Sequence, residues 1–164
     1  MRIFLIGFMG VGKTTFGKRL AKRLAVPFID LDHLIEEHTG GSVADYFATH
    51  GEDAFRLLEK EILQQTNFPE NAVISTGGGA PCFFDNMDWM NAQGKTIYIQ
   101  MPATAIADRL KNAKEERPLI KGLKGESLIN FIEERLLARE LHYKKAHLTL
   151  NGHNLNPENV VELL

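Results

Sequence analysis

Eight residues near the amino terminus, Gly7-Phe8-Met9-Gly10-Val11-Gly12-Lys13-Thr14, place glycine at the first and sixth positions and follow it with lysine and threonine. Glycines let successive backbone N–H groups converge on phosphate oxygens, and the first turn of a following helix adds partial positive charge. Lys13 supplies a mobile cation for outer phosphates, and the Thr14 hydroxyl suits magnesium. A glycine-rich turn with an incidental lysine is the bland alternative. The strand-like run before the loop and the helical pattern after it argue against that alternative. The loop, with Gly10, Val11, Gly12, Lys13, Thr14 and Thr15, reads as a nucleoside triphosphate site.

Four further groups could work beside it. Asp30 and Asp32, in "FIDLD", close the second strand-like run, where ligands gather in open α/β sheets. Two carboxylates near phosphates repel the nucleotide unless a metal or a substrate donor employs them. Asp30 is therefore assigned to the magnesium shell and Asp32 to an acceptor hydroxyl, although a helix N-cap also accounts for Asp32. Gly77-Gly78-Gly79 follows "AVIST", and three glycines suggest close backbone approach to a ligand more than a plain turn. Arg56 lies among Glu52, Asp53 and Glu59, where an intrahelical ion pair explains it. Arg139 falls near the end of a long helix, where a dipole contact suffices. Arg117, in a charged loop, needs only solvent. Taken one at a time, these arginines are explained more simply by structure than by a ligand.

The elements that must position these groups follow from periodicity. Strand-like runs cover Arg2–Ile6, Phe28–Leu31, Ala72–Thr76, Thr96–Gln100 and His147–Leu150. Helical patterns cover Thr14–Ala25, Asp32–Thr39, Val43–Thr49, Glu52–Thr66, Phe83–Asn91, Thr104–Ala113, Glu126–Lys145 and Pro157–Leu164. Their alternation implies a parallel sheet with right-handed crossovers, an α/β fold. In the long late helix, Leu128, Phe131, Ile132, Leu136 and Leu137 form the expected buried stripe. Residues 111–125, "KNAKEERPLIKGLKG", are charged and poor in core residues; they read as a mobile excursion or an ordinary solvated loop.

The chain has 164 residues, the size of one domain, with no internal repeat or dividing linker. A formal net charge of −2 and a pI near 6.3 give no general electrostatic reason to bind nucleic acid or an acidic membrane surface. The apolar run Ile3–Val11 is interrupted by Lys13 and followed by no cleavage site, so it is not read as a signal peptide. No window approaches the ~18 apolar residues of a membrane span. The single cysteine, Cys82, excludes an internal disulfide and fits a reducing cytoplasm. Cys82 and the six histidines lack metal-site spacing and are read as non-catalytic.

The motifs in order, namely the phosphate loop, "FIDLD", "GEDAFR", "STGGGA", "ERPLI", "RELHY" and "NLNPENV", span nearly the whole chain. This set resembles the shikimate kinases. The resemblance implies a three-layer α/β/α P-loop kinase fold with a five-stranded parallel sheet in the order 2-3-1-4-5, a substrate-binding region at about 31–61 and a lid at about 111–125. It implies that Asp32, Arg56, Gly78, Gly79 and Arg139 hold shikimate, with both arginines on its carboxylate and Asp32 on its hydroxyls. By the same resemblance Lys13 and Arg117 neutralise the transferring phosphoryl, Thr14 and Asp30 serve Mg2+, and Arg109, Asn156 and Pro157 border the adenine of ATP. Catalysis would rest on Lys13, Asp32 and Arg117, in a cytoplasmic monomer. Two positions depart from the family pattern: Leu141 stands where proline is usual, and Leu155 where arginine is often found before the Asn-Pro.

Overall fold

Arg2–Ile6 forms β1, and its residues from Ile3 onward are buried on both faces, as the middle strand of a parallel sheet requires. The computed structural model describes residues 1–112 and 117–164. After β1 come α1 (Lys13–Leu24), β2 (Phe28–Asp30), α2 (Leu31–Thr39), α3 (Val43–Gln65) and β3 (Ala72–Ser75). Then follow α4 (Asn86–Gln93), β4 (Lys95–Gln100), α5 (Ala103–Lys111), α6 (Gly125–Tyr143), β5 (Leu148–Asn151) and α7 (Pro157–Val161). The sheet runs β2-β3-β1-β4-β5, every neighbouring pair parallel, with Leu5 beside both Ser75 and Ile97. The carboxyl ends of β1, β2 and β3 therefore open side by side, which puts the phosphate loop, Asp30 and the glycine turn at one rim.

The period of two along β1 sorts the core into two layers. Ile3 and Leu5 join Phe16, Leu20, Ile97, Ile99, Ile106 and Ile132 on one face, while Phe4 and Ile6 join Leu63, Ile74, Met90, Tyr98 and Tyr143 on the other. The long helix α6 serves both layers, Leu128 and Ile132 in the first and Tyr143 in the second. Its expected stripe needs one correction. Leu128 and Ile132 are buried and Phe131 and Leu136 partly so, but Leu137 is 79% exposed, because the helix face turns past it at 3.6 residues per turn.

Boundaries moved where local chemistry intervened. Asp30, not Asp32, is the N-cap of α2, its carboxylate accepting the Asp32 N–H at 3.0 Å, so the helix starts one residue early at Leu31. The two helices expected from 43 to 66 are both present within α3 and meet at Gly51, whose non-helical φ of 86° only glycine adopts easily, so the expected break stands. Phe84 at φ 52° delays α4 to Asn86. α7 stops at Val161, short of the expected Leu164. The expected end of α5 at Ala113, and part of the 111–125 segment, lie outside the described residues. In the described part, Pro118–Ile120 makes a 3-10 turn, and Ile120 and Leu123 pack against the core, so this part is less poor in core contacts than its composition suggested. Among the described residues no helix is long and apolar enough to cross a membrane.

Candidate active site

The phosphate loop is held open by its glycines. Gly7, Gly10 and Gly12 have φ of 146°, 83° and 100°, and a Cβ on Gly7 would sit 2.6 Å from the Ile99 carbonyl oxygen. Gly12 caps α1 without a side-chain bond, which leaves the first-turn N–H groups of a twelve-residue helix for an anion. Val11 is buried in the core, and its carbonyl accepts a hydrogen bond from Arg109 at 2.9 Å. That bond anchors Arg109 to the loop. Lys13 is buried; its ammonium donates to the carbonyls of Gly7 and Phe8 at 2.5 and 3.0 Å, folded back on its own loop. Burial lowers its pKa to about 7, assisted by the Arg117 charge and opposed by Asp32. Thr14 and Thr15 are exposed at the start of α1.

A cavity of about 910 Å³ runs from this loop to the rim of β2 and β3, bordered by Gly12, Lys13, Thr14, Asp32, Gly78 and Arg117, among others. Asp30 and Arg109 also face it. Burial raises the Asp32 pKa to about 6, with the neighbouring Asp30 charge adding to the rise and Lys13 opposing it. The two aspartates are thus electrostatically coupled even though α2 begins between them.

Arg56 and Arg139 stand directly behind the glycine turn. Arg56 is 5% exposed, its Nη1 donating to Glu59 at 3.0 Å and its Nη2 to Glu52 at 3.2 Å, so the expected intrahelical ion pairs exist. They do not exhaust the guanidinium: the Arg56 Nε finds no hydrogen-bond partner among the described residues. Its carbon lies 4.5 Å from the Phe83 ring centroid, a cation–π contact. Arg139 is 4% exposed, 5.4 Å from the Phe8 ring centroid, and its Nη1 has no partner among the described residues. A helix-dipole contact at the surface does not describe a cation buried this way.

The glycines themselves explain the convergence. A Cβ on Gly79 would fall 2.6 Å from both terminal nitrogens of Arg56, and one on Gly78 would fall 3.0 Å from the Met9 nitrogen and 3.5 Å from Arg139 Nη1. The close approach expected of this turn is thus made first to the protein's own arginines and phosphate loop. Asn156 and Pro157 sit apart from the cavity's lining: the Asn156 carboxamide caps α7 on the Glu158 N–H at 3.0 Å, and Pro157 is buried at the first helical position. Leu155 packs against the core in the same stretch.

From sequence Glu59 is only a counter-ion for Arg56. It is 1% exposed, and burial pushes its carboxyl up to about 7 despite the Arg56 charge beside it. Its Oε2 also lies 3.0 Å from where a Gly77 Cβ would be. The signal was its place three residues after Arg56, on the same helical face. Phe83 gives no such signal, since it lies 27 positions from Arg56 in sequence and meets it only in the assembled fold. Cys82 is half-buried, and burial raises its thiol to about 11, leaving it un-ionised at neutral pH.

Comparison with known proteins identifies the family. A family model described as shikimate kinase matches residues 9–164. A curated shikimate kinase of Parabacteroides distasonis is 47% identical over 160 residues, which cover 98% of this chain and 92% of that protein. The crystal structure of shikimate kinase from Bacteroides thetaiotaomicron superposes with a TM-score of 0.93 at 42% identity, covering 99% of this chain and 97% of the other. That of the Acinetobacter baumannii shikimate kinase, solved in complex with shikimate, gives 0.87 at 30% identity over 99% of this chain and 91% of its own. With its phosphate loop, its buried arginine pair and this match over nearly its whole length, the chain belongs to the shikimate kinase family.

Proposed function

We infer that the protein transfers the γ-phosphoryl group of ATP to the 3-hydroxyl of shikimate, giving shikimate 3-phosphate and ADP on the route to chorismate and the aromatic amino acids. Beyond family membership, the observation that carries the choice of acceptor is the pair of buried guanidinium groups at adjacent glycines. Arg56 and Arg139 each keep an N–H without a partner among the described residues, and two such cations suit one carboxylate. A neutral polyol would offer no anion to either orphaned N–H, and Arg139, unlike the Glu52- and Glu59-paired Arg56, would keep its buried charge unmatched by any carboxylate among the described residues.

Phosphoryl transfer passes through a loose transition state, so positioning and charge neutralisation matter more than a strong base. Arg56, Arg139 and the Gly78–Gly79 turn hold the acid, in a region formed by residues 31–61 together with that turn and α6. Asp32, ionised at neutral pH with its pKa near 6, orients the attacking hydroxyl and takes up its proton as the new O–P bond forms. Lys13 leaves the loop carbonyls for the outer phosphate oxygens, and Arg117 faces the same cavity to share that charge. Arg109, fixed on the Val11 carbonyl, borders the base together with the Asn156–Pro157 stretch. Residues 111–125 act as a lid that excludes water, the competing acceptor.

Magnesium fits the oxygen donors present. The Thr14 hydroxyl stands exposed in the first turn of α1. Asp30 spends Oδ1 on its cap and keeps Oδ2 for a hard cation. The ion would neutralise charge on the β- and γ-phosphate oxygens. We place the enzyme in the cytoplasm as a monomer. The test is ADP release measured by a coupled assay across shikimate, gluconate, AMP and CMP. Release dependent on shikimate alone is expected; equal release with gluconate or a nucleotide would overturn the acceptor.

A further inference from the structure

Tyr143, the last residue of α6, is fully buried, and its ring stacks on Tyr98 with centroids 4.9 Å apart and planes inclined by 29°. Its hydroxyl donates a hydrogen bond to the carbonyl of Gly78, crossing from α6 to the turn after β3. Gly78 leaves no room for a side chain, since a Cβ there would meet both the Met9 nitrogen and Arg139 Nη1. Because the peptide unit is planar and trans, pinning the Gly78 carbonyl also fixes the direction of the Gly79 N–H, which points the opposite way. Arg139 lies one helical turn before Tyr143, so both project from the same face of α6. One hydroxyl therefore ties the turn to the element that delivers Arg139.

We propose that Tyr143 is a positioning residue for the acceptor carboxylate, keeping the Gly78–Gly79 peptide and Arg139 in fixed relation through its bond to the Gly78 carbonyl. The proposal rests on the reading that this turn and the two arginines hold the acid. The alternative, a tyrosine needed only for packing, has a different signature. Every apolar contact of the ring survives in Tyr143→Phe, so a packing residue would show at most a change in Tm.

The experiment compares wild type, Tyr143→Phe, Tyr98→Phe and Tyr143→4-aminophenylalanine in steady-state kinetics, with shikimate and its methyl ester as acceptors. For Tyr143→Phe the expected result is a rise of about tenfold in KM for shikimate, the loss of one well-placed hydrogen bond. KM for ATP should stay within about twofold and the preference for acid over ester should narrow. The amine variant keeps the ring and a donor, so it should recover most of the affinity. Tyr98→Phe removes a hydroxyl from the same stack without touching Gly78 and should leave both KM values unchanged. A lowered Tm with unchanged KM for shikimate in Tyr143→Phe overturns the proposal, as does an equal rise in KM from Tyr98→Phe. Failure of the underlying reading looks different: wild type itself would then use the ester as well as the acid.

Discussion

The donor and acceptor halves of the site are built in opposite ways. The phosphate loop is eight contiguous residues whose shape is set by glycine torsions, and the groups we propose for the phosphates are mostly its backbone N–H. The acceptor half, as proposed, draws single residues from α2, α3, the glycine turn and α6, spread from Asp32 to Arg139. A backbone cradle tolerates most side-chain changes around it, with Lys13 as the exception. An assembled cradle of charges holds each member through another, Arg56 through Glu52 and Glu59, and the glycine turn through the room that Arg56 requires. The acceptor half should therefore be the part that responds to pH and to conservative exchanges.

The largest expected effect tests the exception. Lys13→Met removes the cation but keeps a side chain of similar length in a buried position, and kcat should fall by at least ~1,000-fold, the upper range for loss of one transition-state donor. Circular dichroism should be unchanged. Turnover near the wild-type level would mean that the backbone half works without the Lys13 cation.

Next in size is the arginine clamp. Arg139→Lys replaces a planar fork by a point charge, and kcat/KM for shikimate should drop by about 100-fold, or about 2.7 kcal/mol. KM for ATP should barely move, since no nucleotide contact is assigned to Arg139. A parallel loss in both substrates would show that the two halves are not separable.

The same contrast explains what the sequence made legible. The donor half could be read because its signal is local: glycine spacing, lysine and threonine specify a conformation within eight residues. The sheet was equally plain, since strand runs alternate with helical periods and only boundaries such as Asp30 and Phe84 shifted. Arg56 and Arg139 could be paired only through resemblance to a family, because nothing local to either distinguishes a ligand-holding arginine from a surface ion pair. Burial decides that, and burial is a property of the assembled fold. Phe83 and Tyr143 stayed illegible for the same reason. Asp32 was misplaced as a possible cap because either aspartate of "FIDLD" can cap α2, and the choice depends on where β2 ends.

The pH response comes third. Asp32 has its pKa raised to about 6, and in the proposed mechanism its ionised form orients the hydroxyl, so kcat/KM for shikimate should decline as pH falls through about 6. Asp32→Asn should lose that limb along with most activity. Stability should show the reverse dependence. The Glu59 carboxyl has its pKa raised from 4.5 to about 7 in the fold, so between those values the native state holds more protons than the unfolded chain. Stability then falls as pH rises through that window, by about 3 kcal/mol at most from this group. In Glu59→Gln the decline should flatten, so the Tm advantage of wild type over the variant should shrink from pH 4.5 to 7. A variant whose Tm runs parallel to wild type across that range would remove Glu59 as the source.

The smallest effect is expected at Leu141, and it calibrates the others. This residue lies between Arg139 and Tyr143 in sequence, at a position where proline is usual in the family, yet it is 79% exposed while Arg139 and Tyr143, two positions to either side, are buried. The helix runs unbroken from Gly125 to Tyr143, so the direction of Arg139 is set by regular α geometry with no proline kink. Leu141→Ala removes a side chain that packs on nothing substantial and installs the better helix former. Stability should stay within ~0.5 kcal/mol of wild type, and kcat/KM for shikimate should change less than about twofold. Because the substitution falls two residues from the clamp, it separates nearness in sequence from membership of the site. If Leu141→Ala instead matched Arg139→Lys in its loss of shikimate turnover, the acceptor half would depend on the outer face of α6, and the account of it as a cradle of buried charges would have to be abandoned.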